Sequence, residues 1–301
     1  MDAAYYNKKV SKEVIPSVTS GTSGYNAVLL NSGIIQNKGL EFLVSGVLVK
    51  TKTISWTETL NLTYNNNKVL ALSSGAGNYP LGYSRAGEDL GLGVAYISQN
   101  LGKSAYQIYV TDPQRDEKGN IDIDPATKAP IAGTDYVNVG SGIDPWSTGI
   151  TSELKYKHFN FSFLVDGKFG AKIFSGTNWY GYQFGLSKLT LPGRDLRYGT
   201  NQLYPQEYYA LLSNNNPAIF VYDASFIKLR QIIFGYTFPV NMFNNKIQGI
   251  TLSFVARNVF TIKKHTPGID PESNYSNGPQ GIEQAQVPYT RTFGLNLNVK
   301  F

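Results

Sequence analysis

The sequence predicts an all-β protein whose antiparallel strands make up part of a transmembrane β-barrel. Apolar and polar residues alternate over many segments, helical periodicity is scarce, and Gly-rich turns separate runs of β-branched and aromatic residues. The 301 residues include 21 Tyr, 16 Phe and 3 Trp, and only 16% are charged.

Eight strands are expected, near 3–11, 36–49, 54–66, 146–156, 158–172, 224–238, 250–262 and 289–301. The first opens the series, and the second, around "LEFLVSGVLVK", alternates loosely. In the third, "ISWTETLNLTY", Ile54, Trp56, Leu60, Leu62 and Tyr64 oppose Ser55, Thr57, Thr59, Asn61 and Thr63. In the fourth, Trp146, Ile150, Leu154 and Tyr156 oppose Ser147, Thr151, Glu153 and Lys155. The fifth sets Phe159, Phe161, Phe163, Val165 and Phe169 against His158, Asn160, Ser162, Asp166 and Lys168. The sixth, "ASFIKLRQIIFGYTF", changes phase near Arg230, which signals a bulge or a contact with something inside. The seventh, "ITLSFVARNVF", is loose. The last runs Tyr289, Arg291, Phe293, Leu295, Leu297, Val299 and Phe301 on one face, against Thr290, Thr292, Gly294, Asn296, Asn298 and Lys300 on the other.

Successive strand side chains point to opposite faces, so each strand has one apolar and one polar side. A soluble sandwich would bury the apolar side between sheets, and a barrel in lipid would turn it outward. Three features favour the barrel. The polar sides are rich in Thr, Ser, Asn and charge. Aromatic residues (Tyr64, Trp146, Tyr156, Tyr289, Phe301) stand at strand ends, where interfacial girdles belong. The connections alternate long, short, long, short, long, medium, long, as in barrels with short periplasmic turns and long extracellular loops.

Composition narrows the rest. No cysteine is present, which excludes disulfides and thiolate metal sites. The net charge of +6 and pI near 9.1 come from dispersed basic residues, which argues against nucleic acid. No apolar run approaches the roughly 20 residues of a membrane-spanning helix. The N-terminal "MDAAYYNKKVSKEV" lacks the apolar core of a signal peptide.

Five segments, in order, resemble the SusC/RagA-type TonB-dependent transporters of the bacterial outer membrane: "NSGIIQNKGLEFLVSG", "WTETLNLTYNNNKVLAL", "DASFIKLRQIIFGYTFP", "LSFVARNVFTIKKHTPGIDPESN" and "VPYTRTFGLNLNVKF". The resemblance implies that residues 1–301 are the C-terminal part of a 22-stranded barrel. The signal peptide, TonB-contacting box, plug and earlier strands are expected outside these residues. Long extracellular loops are expected near 12–35, 67–145, 173–223 and 263–288. The resemblance further implies a barrel-assembly signal in Phe293, Leu295, Leu297, Val299 and Phe301. It implies as partners a SusD-like surface lipoprotein, the TonB complex acting through the missing N-terminal region, the barrel assembly machinery and outer-membrane lipid.

The aromatic run "NWYGYQFG" offers Trp179, Tyr180, Tyr182 and Phe184 as substrate-binding residues, since aromatic faces stack on sugar rings; packing of the loop and contact with a partner protein are the competing roles. "LYPQEYYALL" adds Tyr204, Tyr208 and Tyr209. Glu153, Lys155, Asp166, Lys168, Asn296 and Asn298 are expected to face the lumen. Asp112, Asp116, Asp122 and Asp124 lack the spacing of a calcium loop and read as a polar loop turning at Gly119. No metal site, cofactor or catalytic constellation is expected, and so no enzyme. The expected function is the barrel portion of an active importer of oligosaccharides or peptides. The alternatives are a passive pore or small complete barrel, and a soluble β-sandwich adhesin or lectin.

Overall fold

The computed structural model describes residues 1–12, 14–17, 28–31, 33–72, 77–83, 93–192, 205–239, 247, 249–273 and 280–300. Its main body is one antiparallel sheet of eight strands. These are β1 (Asp2–Ser11), β4 (Ile34–Lys50), β5 (Ile54–Ala71), β10 (Trp146–Tyr156), β11 (Phe159–Phe169), β14 (Phe226–Phe238), β15 (Gly249–Lys264) and β17 (Thr292–Lys300), hydrogen-bonded in that order. All eight lie near the expected spans, the last beginning at Thr292 rather than at 289. The sheet is open: β1 and β17 form its two ends and do not pair with each other.

Register carries the alternation across the sheet. One transverse row reads Val49, Trp56, Leu154, Phe161, Phe234, Phe254 and Leu295. Every member is exposed, from 38% at Trp56 to 76% at Leu295. A sandwich would have covered this row with a second sheet, and here nothing covers it. Among the described residues no helix is long and apolar enough to cross a membrane.

Aromatic rings mark both ends of the apolar face. Tyr156, Phe159 and Tyr236 lie beside the short turns, and Tyr64 packs on Trp146 with ring centroids 4.6 Å apart at the other end. Tyr289 departs from expectation. Strand geometry begins only at Thr292, so the alternation does not extend back to it. Its ring instead lies 5.5 Å from the Lys228 ammonium, on the polar side.

The long connections build a second layer beyond the Tyr64–Trp146 end. β2 (Val14–Ser17) and β3 (Val28–Asn31) pair as a hairpin. β6 (Asn78–Tyr83), β7 (Ala95–Asn100), β8 (Gln107–Thr111) and β9 (Tyr136–Ser141) form a four-stranded sheet. β12 (Lys172–Ser175), β13 (Val221–Asp223) and β16 (Ile282–Glu283) form a three-stranded one. Helices α1 (Gly176–Gln183) and α2 (Pro205–Asn215) complete it. Three of the four long loops share one core: Val94, Ile97, Ile108 and Val110 from 67–145, Phe174, Trp179 and Phe220 from 173–223, and Ile282 from 263–288. This cap has an apolar interior of its own, which the open sheet below it lacks.

Candidate functional site

The polar face of the sheet and the cap above it meet at an ionic cluster. Its cations come from the wall. Lys228 and Arg230 lie on β14, and Arg230 is the residue left out of register by a bulge on both sides, between Leu229 and Gln231. The phase change read near Arg230 is thus both a bulge and an inward contact. Two residues apart, Lys228 and Arg230 both reach Glu272 on the polar side of the sheet, Arg230 from the bulged position.

The anions come mainly from the loop after β15. Lys228 Nζ donates to Asp270 Oδ1 at 2.6 Å and to Glu272 Oε2 at 2.7 Å. Arg230 donates to the same Glu272 oxygen at 2.6 Å and to Asp166 Oδ1 of β11 at 2.7 Å. Lys168 stands 3.8 Å from Glu272 Oε1. The loop is folded to present these carboxylates: Asp270 Oδ1 accepts the Glu272 backbone N–H, and Lys264 and Thr266 both donate to the Ile269 carbonyl. With the Lys228 side chain only 7% exposed, the cations compensate carboxylates that burial would otherwise penalise.

Two recesses flank the cluster. One, of about 530 Å³, is lined by Asp166, Arg230, Gln231, Arg257, Glu272 and Tyr289. The other, of about 220 Å³, is lined by Asp144, Lys168, Lys172, Glu272 and Tyr289 among others. Burial pushes the Asp144 carboxyl up to about 6, the Lys168 charge opposing the rise and Glu272 adding to it.

The residues proposed from sequence fall into distinct environments. Glu153, Lys155, Asp166, Lys168, Asn296 and Asn298 share the polar face, opposite the exposed apolar rows. Of these, only Asp166 and Lys168 join the ionic cluster. Trp179 requires correction. It is 3% exposed, and its indole N–H donates to the Ser213 carbonyl at 2.9 Å, so its faces belong to the cap core and cannot stack on a ligand. Tyr180 and Tyr182 are half-buried against that core, and burial raises the Tyr182 phenol. Phe184 is 56% exposed and stacks on Tyr180 with planes 4° apart. Helix α1, which carries these rings, is capped by Ser175. The buried Glu283 accepts from the Ser175 and Thr177 hydroxyls and so ties α1 to the loop near 263–288.

Phe293, Leu295 and Leu297 are exposed on the apolar face and Val299 is half-buried; Phe301 and Tyr204 lie outside the described residues. The acidic stretch does turn at Gly119 (φ +83°). Its carboxylates serve the loop: Asp112 holds Arg115 at 3.0 Å, and Asp116 accepts the N–H groups of Lys118 and Asn120. Sequence reasoning missed the pairing of Lys228 with Asp270 and Glu272. Their segments stood out separately, "DASFIKLRQ" and "GIDPESN", but nothing local joined them.

An open antiparallel sheet, apolar on one face and ionic on the other, with aromatic rings at both ends, defines a wall section of an outer-membrane β-barrel. No family model matches the chain. It is 24% identical over 99% of its length to "TonB-dependent receptor P3" of Formosa agariphila, and 26% identical over 93% to "TonB-dependent receptor SusC" of Bacteroides thetaiotaomicron. It covers 32% and 28% of those two proteins, so it spans about a third of the curated relatives it matches. Among solved structures it matches the RagAB peptide transporter over 99% of its own length and 33% of that chain, with TM-score 0.71 and 17% identity. The same importer in its "open-open" state matches with TM-score 0.68. The chain is similar to SusC/RagA-type TonB-dependent transporters along nearly its whole length, and these relatives are receptors and transporters rather than enzymes.

Proposed function

We propose that this chain is the C-terminal barrel wall, lumen lining and extracellular cap of an outer-membrane importer of oligosaccharides or peptides. TonB drives it through a region outside these residues, and a SusD-like surface lipoprotein works with it at the cap. The observation that carries the reading is the tethering of loop 265–273 to the polar face by Lys228 and Arg230. A passive pore gains from a clear lumen, whereas an importer needs its wall and surface loops held in one arrangement around a bound cargo. In this reading Glu153, Lys155, Asp166, Lys168, Asn296 and Asn298 line the lumen. Tyr180, Tyr182 and Phe184 offer the remaining stacking surface, and Leu186, Leu189 and Leu191, all more than half exposed, continue it as an apolar ridge for the lipoprotein. Phe293, Leu295, Leu297, Val299 and Phe301 serve barrel assembly.

The test compares uptake of labelled oligosaccharides and labelled peptides by cells with and without the gene, before and after the proton gradient is collapsed. Gene-dependent, gradient-dependent accumulation of one cargo class supports the proposal. Equal accumulation in both strains, or uptake indifferent to the gradient, sinks it.

A further inference from the structure

The apolar face carries one residue that does not belong in lipid. By register, the row next to Trp56 reads Gly46, Glu58, Ser152, Phe163, Ile232, Ala256 and Phe293. The row beyond it reads Val44, Leu60, Ile150, Val165, Leu229 and Phe260. Across these two rows and the Trp56 row, Glu58 is the sole charged side chain. The Trp56 indole N–H donates to Glu58 Oε1 at 2.8 Å and to Ser152 Oγ at 3.1 Å. The other carboxylate oxygen has no partner among the described residues. Beside it Gly46 leaves a notch: a Cβ built there meets nothing within 4 Å. Strand β4 bulges at Leu48, immediately past this notch.

Depth decides what can reach this carboxylate. Strands rise about 3.4 Å per residue and tilt about 40°, so each row advances roughly 5 Å along the membrane normal. Glu58 lies two rows from the Tyr156–Phe159–Tyr236 ring row and three from the Tyr64–Trp146 pair, so about 10 Å and about 15 Å inside the apolar band. Lipid headgroups sit at the level of the rings, too far away to bond it. Ionisable groups at such depth are costly and persist where they are paired or functional. A second copy of this face brings another carboxylate and no cation.

We infer that Glu58, with Trp56, Ser152 and the Gly46 notch, is a docking point within the membrane for another membrane-embedded protein that presents a lysine or arginine at this depth. The small residue admits the incoming stem, Glu58 takes the charge, and Trp56 fixes the carboxylate. The face is distinct from the polar lining and the cap, so the inference stands apart from the choice of cargo.

The test places the photoreactive residue p-benzoylphenylalanine at position 60 of the natural protein, one row from Glu58 on the same exposed face, so that Gly46 and Glu58 stay as they are, and irradiates outer membranes of the cells that make it. The expected result is a discrete protein adduct whose joined peptide contains a basic residue. Glu58→Leu and Glu58→Gln should reduce that adduct at least tenfold, while the heat-modifiable folded band stays unchanged. Replacing the partner's basic residue by glutamine should reduce it equally. No adduct, adducts to lipid alone or to a second copy of this chain, or an adduct indifferent to Glu58 overturns the inference.

Discussion

Lys228 Nζ lies 2.6 Å from Asp270 Oδ1, joining a wall strand to a loop residue 42 positions away. Both side chains are largely buried, at 7% and 13% exposure. Removing the cation strands Asp270 and leaves Glu272 to Arg230 and Lys168. Breaking such a pair from one side costs about 3–5 kcal/mol. Lys228→Met should therefore raise amide exchange at Glu272 and Ser273 by about a hundredfold or more, since every 1.4 kcal/mol is a factor of ten. The further change Asp270→Leu should recover part of the protection. Unchanged exchange in the single variant would show that the tether bears no load.

Asp144 supplies a pH dependence. Its carboxyl rises from 3.8 to about 6, first through burial. The folded protein therefore holds this proton more tightly than the unfolded chain does. The resulting stabilisation is complete below pH 3.8 and is lost as pH rises through about 6. Asp144→Asn should flatten that window and stabilise the cap at pH 7 by up to roughly 3 kcal/mol, taking 1.36 kcal/mol per unit. Trp179 fluorescence during thermal unfolding at pH 4.5 and 7.5 reads the difference.

The two faces of β10 differ in chemistry, one apolar and exposed and the other polar. Ile150 is 43% exposed in the middle of the apolar face, and its neighbour Thr151 points to the polar one. Ile150→Arg should cost about 2–4 kcal/mol, the penalty for a basic residue on a lipid-facing midplane. Thr151→Arg should cost much less. The folded, heat-modifiable fraction in outer membranes should fall for the first variant and hold for the second.

In the cap, neighbouring aromatic residues should behave in opposite ways. Trp179→Ala empties a core position at a cost of about 3–5 kcal/mol. The cap should become sensitive to trypsin while the eight-stranded sheet stays folded. Phe184→Ala removes an exposed ring and should leave trypsin resistance intact. Any loss of cargo or lipoprotein binding in that variant therefore reports on contact rather than folding.

All eight wall strands could be read from the sequence because alternation is local: a strand residue's face is fixed by its immediate neighbours. Where that geometry stopped, so did the reading. Tyr289 precedes the strand and turned to Lys228 rather than to the ring row. Glu58, which the sequence reading placed on neither face, follows the alternation and stands among the apolar residues. The aromatic run 179–184 was visible as a cluster, but its order of burial was not, because on a helix neighbouring residues point in different directions and the packed side depends on what lies against it.

The sequence by itself determined the strands, the faces they present and the likeness to a transporter family, because a period of two needs only adjacent residues to define it. The tertiary structure alone decided that three loops share one core, that Trp179 fills it, that Lys228 finds Asp270, and that Gly46 and Ser152 flank Glu58. Each of these relationships joins residues brought together by the path of the chain and the register of the sheet. Such proximity arises only when the whole wall is assembled.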